Sequence, residues 1–307
     1  MRKYLFLALL IIACSCSQKS EKSVDGIVVN FKVENMSFAK VTIANKHLVE
    51  VVNLDKNGEG TCILQQDIVY ASLYYGEESK SLFLQKGDNL TISFNGSEFG
   101  KSIQFTGESA PILEYINSVS YPALTPNLLT GSFDEIMTLI NNRTDEATAM
   151  LQSSNLEQDF PQYVKLEKER IKYLYAANLI VYPMVRSMED SEYRPDAEYF
   201  SVLGSYMKED ESLLAVPTYR SFLIEASLLL ASRDNEGSRS SSRSIVRIEY
   251  IAKNFKNDKV KESLINEIAI DHIMWDNRDN IPELKELHNT YVTNAELRAK
   301  FDELVNN

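Results

Sequence analysis

The chain has 307 residues, 44% of them hydrophobic and 25% charged, and its 32 basic and 44 acidic side chains leave a formal charge of −12. These proportions are those of a globular chain long enough for two ordinary cores, which excludes a fibrous or wholly disordered protein. The acidic residues are spread along the sequence, which argues against a nucleic-acid partner and against a polybasic membrane surface.

Residues 1–13 (MRKYLFLALLIIA) read as a lipoprotein signal peptide, with Arg2 and Lys3 ahead of an apolar run too short to span a bilayer comfortably. Ile11, Ile12 and Ala13 supply the aliphatic, tolerant and small positions that a lipobox places before its cysteine, so Cys14 is the expected lipidation residue. Cys16 is the alternative, and an ordinary cleaved signal is the competing reading. A diacyl or triacyl cysteine passes the two-chain threshold for stable anchoring, at roughly 0.8 kcal/mol for each buried methylene. Residues 14–24 are polar and aperiodic, as expected of a lipidated tether.

Residues 25–107 predict an all-β domain, because short β-type runs (IVVNFKV, KVTIAN, VEVVNL, IVYASLYYG, NLTISF) alternate with turn residues. Leu90, Ile92 and Phe94 alternate with Asn89, Thr91 and Ser93, giving one buried and one wet face. Asp55-Lys56-Asn57-Gly58 and Lys86-Gly87-Asp88 are the expected turns. About eight strands at this spacing predict a β-sandwich or partly open barrel, and hence an α+β chain once the second half is included. Cys62 is left alone in the folded part and is expected to be buried and inert. Tyr70, Tyr74 and Tyr75 read as packing residues in preference to a binding platform, and His47 as a solvated histidine in a turn.

Residues 108–307 predict an α-helical domain of seven to eight helices with short connections. Ser132 and Glu135 form a capping box for a helix over 133–151. A helix over 156–185 carries Phe160, Tyr163, Val164, Ile171, Leu174, Tyr175, Asn178 and Tyr182 on one stripe, with Pro183 expected to end or kink it. Further helices are expected over 197–207 and 219–231, then, past a polar insert over 233–244, over 245–255, 259–275 and 282–291. Asp258 and Asn280 are the expected N-caps of the last two, and Thr293 with Glu296 the capping box of a final helix.

Chemistry-bearing motifs are scarce. His272 and His288 with Asp271, Asp276 or Asp279 match no metal-ligand spacing, and His272, four residues beyond Ile268, reads as a core histidine. Neither a nucleophile elbow, nor a P-loop, nor a dinucleotide fingerprint occurs, so no catalytic residue, metal ligand or cofactor site is assigned. A carboxylate-dependent hydrolase remains as an alternative without a motif of its own.

SLFLQKGDNLTISFNG followed by SIQFTGESAPILEYI, together with FPQYVKLEKERIKYLYAANLIVYP and ELHNTYVTNAELRAKFDEL, resembles the β-domain and linker helices of periplasmic thioredoxin-like lipoproteins of the TlpA/ResA type. In those proteins the resemblance implies a following thioredoxin fold with a W-C-x-x-C redox pair. Here the single tryptophan, Trp275, is followed by Asp276 and no C-x-x-C occurs. The expectation is therefore a lipoprotein facing the periplasm, anchored by lipid in the outer membrane and working as a non-enzymatic binding or assembly module. A non-catalytic or truncated part of a thiol-disulfide oxidoreductase is the alternative. The expected partners are the membrane, through the N-terminal lipid, and a periplasmic protein or a thioredoxin-like partner.

Overall fold

The computed structural model describes residues 25–234, 242–275 and 280–306. Cys14, Cys16, Asp276, Asp279 and most of the polar insert lie outside the described residues. The chain is α+β, with strands first and helices after them.

The strands build two four-stranded sheets that are not closed into a barrel. One has the order β4 (Glu59–Leu64), β1 (Ile27–Glu34), β7 (Asn89–Asn95), β8 (Gln104–Thr106). The other runs β3 (Leu48–Asn53), β2 (Lys40–Asn45), β5 (Ile68–Tyr75), β6 (Glu78–Gln85). β1 and β7 pair in parallel and the other pairs are antiparallel. In β1 the alternation sends Ile27, Val29, Phe31 and Val33 inward, where they meet Val41, Ile43, Leu73, Leu82 and Leu84 of the second sheet.

Both expected turns form. Asp55 Oδ1 accepts from the Asn57 and Glu59 amides at 2.8 and 2.9 Å, and Gly58 takes a φ of +79° that a side chain would strain. In the second turn Asp88 is buried, accepting from the Gln85 amide at 2.8 Å and from Ser109 Oγ. The Gly-Asp motif thereby fixes the turn that carries the chain from β6 in one sheet to β7 in the other, and also the start of the first long helix after it.

β6 departs from simple alternation, since Leu82, Phe83 and Leu84 are buried in succession. Leu82 and Leu84 belong to the core between the sheets, while Phe83 points the other way and enters a second, helical core against Tyr163, ring centres 4.9 Å apart. A helical layer therefore covers part of the outer face of the second sheet. A single turn, α1 (Phe99–Ser102), closes the first core, and α2 (Ala110–Ser118) serves both, giving Ala110 and Leu113 to one and Ile112 to the other.

The helices that follow are α3 (Phe133–Ser153), α4 (Pro161–Ala176), α5 (Asn178–Glu189), α6 (Ala197–Ser205), α7 (Pro217–Asp234), α8 (Arg243–Asn254), α9 (Asp258–Trp275), α10 (Ile281–Tyr291) and α11 (Ala295–Asn306). Among the described residues α2–α11 place ten helices within 108–307, above the seven to eight expected, because α2 adds one and 156–185 is two helices. The break falls at Ala177, not at Pro183, which sits inside α5. Proline lacks the N–H that would bond the Leu179 carbonyl, and the Tyr199 hydroxyl donates to that carbonyl at 2.8 Å instead. The Ser132–Glu135 capping box forms as expected. Three other caps are corrected. Asn257 caps α9, with Oδ1 accepting from Val260 N at 3.1 Å, so Asp258 is already helical. Asn280 precedes α10 in the left-handed region without a side-chain cap. Asn294, not Thr293, caps α11, accepting from Glu296 N and Leu297 N at 3.0 and 3.1 Å, while Thr293 Oγ1 donates to Glu262.

α9 is buried on nearly every face, flanked by α8, α10 and α11. A helix enclosed all round must satisfy whatever polar side chains it carries, and α9 carries Asn266, Glu267 and His272. Among the described residues no helix is long and apolar enough to cross a membrane.

Candidate functional site

The β2–β3 hairpin turns on Lys46 and His47, held by Asn45, whose Oδ1 accepts from the His47 amide and whose Nδ2 donates to the Tyr70 carbonyl, both at 2.8 Å. This turn docks on α9. Lys46 Nζ lies 2.8 Å from Glu267 Oε1 and 2.5 Å from Asp271 Oδ2, one helical turn on. Arg220 of α7 places Nε 2.8 Å from Glu267 Oε2, and His47 Nε2 stands 3.6 Å from the same oxygen. His47 is therefore half-buried against a carboxylate, a correction to the solvated histidine expected from its turn.

The Glu267 side chain is only 4% exposed. Burial opposes its ionisation, but the neighbouring His47 ring and the Arg220 and Lys46 charges outweigh it and hold the carboxyl at about 2. Glu267 is thus ionised at any neutral pH and has no proton to give as a general acid.

A second buried carboxylate lies on α4. Glu167, with a side chain 1% exposed, receives Arg170 Nε and Nη2, both at 2.7 Å, and the Tyr121 hydroxyl at 2.9 Å. Tyr115 continues the chain, its hydroxyl 2.9 Å from that of Tyr121. The third carboxylate buried among the described residues, Asp88, is engaged in its turn. Each of the three is already matched to cations or donors of its own, so the paired-carboxylate geometry of glycoside hydrolysis is not built from them.

Beside the Lys46–Glu267 cluster opens a cleft of about 580 Å³. The hairpin turn and Gln66 and Asp67 of the β4–β5 loop form one wall, Ser212 and Leu214 before α7 another, and Glu296 and Lys300 of α11 a third. Its lining therefore comes from both halves of the chain, and its rim carries both signs of charge.

The remaining candidates other than Tyr74 pack within the fold. Tyr75 is in the first core, its hydroxyl accepting from the Ser37 and Phe38 amides at 2.8 and 2.9 Å. Tyr74 is exposed on the opposite face, and Tyr70, half-buried, packs edge-on against Phe83. Cys62 is buried in β4, and burial, with the nearby Glu50 charge, pushes its thiol up to about 11. His272 is buried with Nδ1 3.2 Å from Ser244 Oγ. His288 is buried and stacked on Phe301, with Nε2 3.0 Å from Asn266 Oδ1, and burial lowers it to about 4. Among the described residues no three His, Cys, Asp or Glu side chains are grouped to hold a metal ion.

Sequence reasoning passed over Glu167, Arg170, Arg220 and Glu267. For Glu167 the signal was present: it stands four residues after Tyr163 and four before Ile171, on the very stripe that packs. Glu267 sits within LINEIAI, where the apolar residues leave no wet face. Comparison with protein-family models, with curated proteins and with solved structures finds no match to this chain.

Proposed function

We propose that the protein is a lipid-anchored lipoprotein facing the periplasm, attached to the outer membrane through Cys14, whose two cores together form a non-enzymatic binding or assembly module. The observation that supports this reading best is the cleft of about 580 Å³ shared by the strand and helical halves. Its buried carboxylate is locked in an ion-pair cluster that fixes the hairpin to α7 and α9, which suits a rigid receptor better than a proton-transfer site. The TlpA/ResA-type motifs suggest the class of partner, a thioredoxin-like periplasmic protein. Those motifs span β6, the turn at Gly87 and Asp88, β7, β8 and α2, where the Asp88–Ser109 contact helps to hold the fold, and also α4, α5, α10 and α11.

The test pairs the anchor with the absence of turnover. The intact lipoprotein is expected to enter the detergent phase, Cys14→Ala to remain aqueous, and neither to reduce insulin disulfides above a thiol-free control. Detergent partitioning of Cys14→Ala but not of Cys16→Ala would move the anchor to Cys16, and insulin reduction would contradict the non-enzymatic reading.

A further inference from the structure

A further cavity, of about 230 Å³, lies between the outer face of the second sheet and α2, α4 and α7. Tyr70 and Pro217 stand in its walls and in those of the cleft. This cavity has a different chemistry. Its charged lining is one residue of each sign, Glu167 and Arg170, and these neutralise each other in a bidentate pair. A full extra charge would enter a half-dry space with no counter-ion to meet it, so the lining favours a neutral ligand.

Neutral does not mean apolar here. The Tyr70 hydroxyl is buried and has no hydrogen-bond partner within the protein. Arg170 spends Nε and Nη2 on Glu167, which leaves the donors of Nη1 for another acceptor. Ser81, an exposed residue of the same lining, ties its backbone to Asn117 through both N and O, so neither bond uses its hydroxyl. Phe83, Ile116 and Val119 give the same lining its apolar side chains. The cavity thus offers one apolar wall and one edge of groups that donate or exchange hydrogen bonds, in a volume below that of a drug-sized site. Such a lining matches a single ring with an apolar face and a rim of hydroxyls.

From this juxtaposition we propose that the cavity between β5, β6, α4 and α7 binds a neutral polyhydroxylated ring, of the class of an uncharged monosaccharide, with Tyr70, Ser81 and Arg170 contacting its oxygens. The site adjoins the outer cleft, sharing Tyr70 and Pro217 with it, and goes beyond the partner-binding reading.

The test is a titration of the whole protein, followed by ligand-observed NMR and calorimetry. The probes are glucose, galactose, mannose and N-acetylglucosamine, with glucuronate and glucosamine as charged counterparts. At least one neutral sugar is expected to bind in the millimolar range or tighter, and each charged counterpart at least tenfold more weakly. Tyr70→Phe keeps the ring and its packing on Phe83, so it is expected to weaken sugar binding about tenfold while the melting temperature stays within a few degrees; Ser81→Ala provides an independent second reading. No binding of any neutral sugar, equal binding of the charged sugars, or unchanged affinity in both variants would overturn the assignment. Partner cross-linking at the outer cleft reads a different wall, so failure of the sugar site leaves that reading standing.

Discussion

Replacing Glu267 by Gln keeps the side chain's shape and removes its charge, so the variant imitates the protonated carboxyl. In the folded protein this group lies at about 2, down from an ordinary 4.5, because the neighbouring His47 ring and the Arg220 and Lys46 charges more than offset its burial. At 1.36 kcal/mol for each pH unit, that lowering is worth about 3 kcal/mol of stability at neutral pH. The figure agrees with the lower end of the roughly 3–5 kcal/mol lost when one member of a buried pair is removed. The lower end is apt because Lys46 keeps Asp271 at 2.5 Å. Since the folded carboxyl lies below its unfolded value, this stability is complete above about pH 5 and is lost as the pH falls from 4.5 towards 2. Urea unfolding followed by far-ultraviolet circular dichroism at a series of pH values measures it. Wild type and Glu267→Gln are expected to differ by about 3 kcal/mol at pH 7 and to converge near pH 2. A difference under about 1 kcal/mol, or one that ignores pH, refutes the assignment of Glu267 as the ionised centre of the latch.

Two further predictions concern the cores. Tyr199→Phe leaves the Leu179 carbonyl without its donor and is expected to cost about 2 kcal/mol by thermal or urea unfolding. In a Pro183→Ala background the restored N–H serves that carbonyl, so the same change is expected to cost less than about 1 kcal/mol, and equal costs would refute the link. Cys62, buried and raised to about 11, has about one thiolate in ten thousand at pH 7 and is expected to resist a maleimide until the protein unfolds. Modification of the folded protein within minutes would contradict its placement.

The strands were legible because alternation in β1 and β7 is a local property that a two-sheet core reads directly. The Ser132–Glu135 cap was legible for the same reason, four residues deciding it. Pro183 was misread because the rule that proline breaks a helix assumes an orphaned carbonyl, and Tyr199, sixteen positions on, removes that penalty. The caps at Asn257 and Asn294 were missed by one residue, which is the scale on which neighbouring Asx and Thr side chains compete for the same amides. The site was the least legible part. Lys46 and Glu267 are 221 residues apart, and nothing local to a Lys-His turn says that it meets a buried carboxylate on α9. His47 was called solvated on local context alone, and the contact that corrects it is tertiary.

The central claim, that the cleft between the two halves receives a partner, is tested most directly by photo-cross-linking in intact cells. A benzophenone side chain is placed at the exposed Gln66 on the cleft wall and, as a control, at the exposed Gln152 at the end of α3. The account predicts a discrete protein adduct from position 66, identifiable by mass spectrometry as a thioredoxin-like periplasmic protein, and none from position 152. Equal adducts from both positions, or no adduct from position 66, would contradict it.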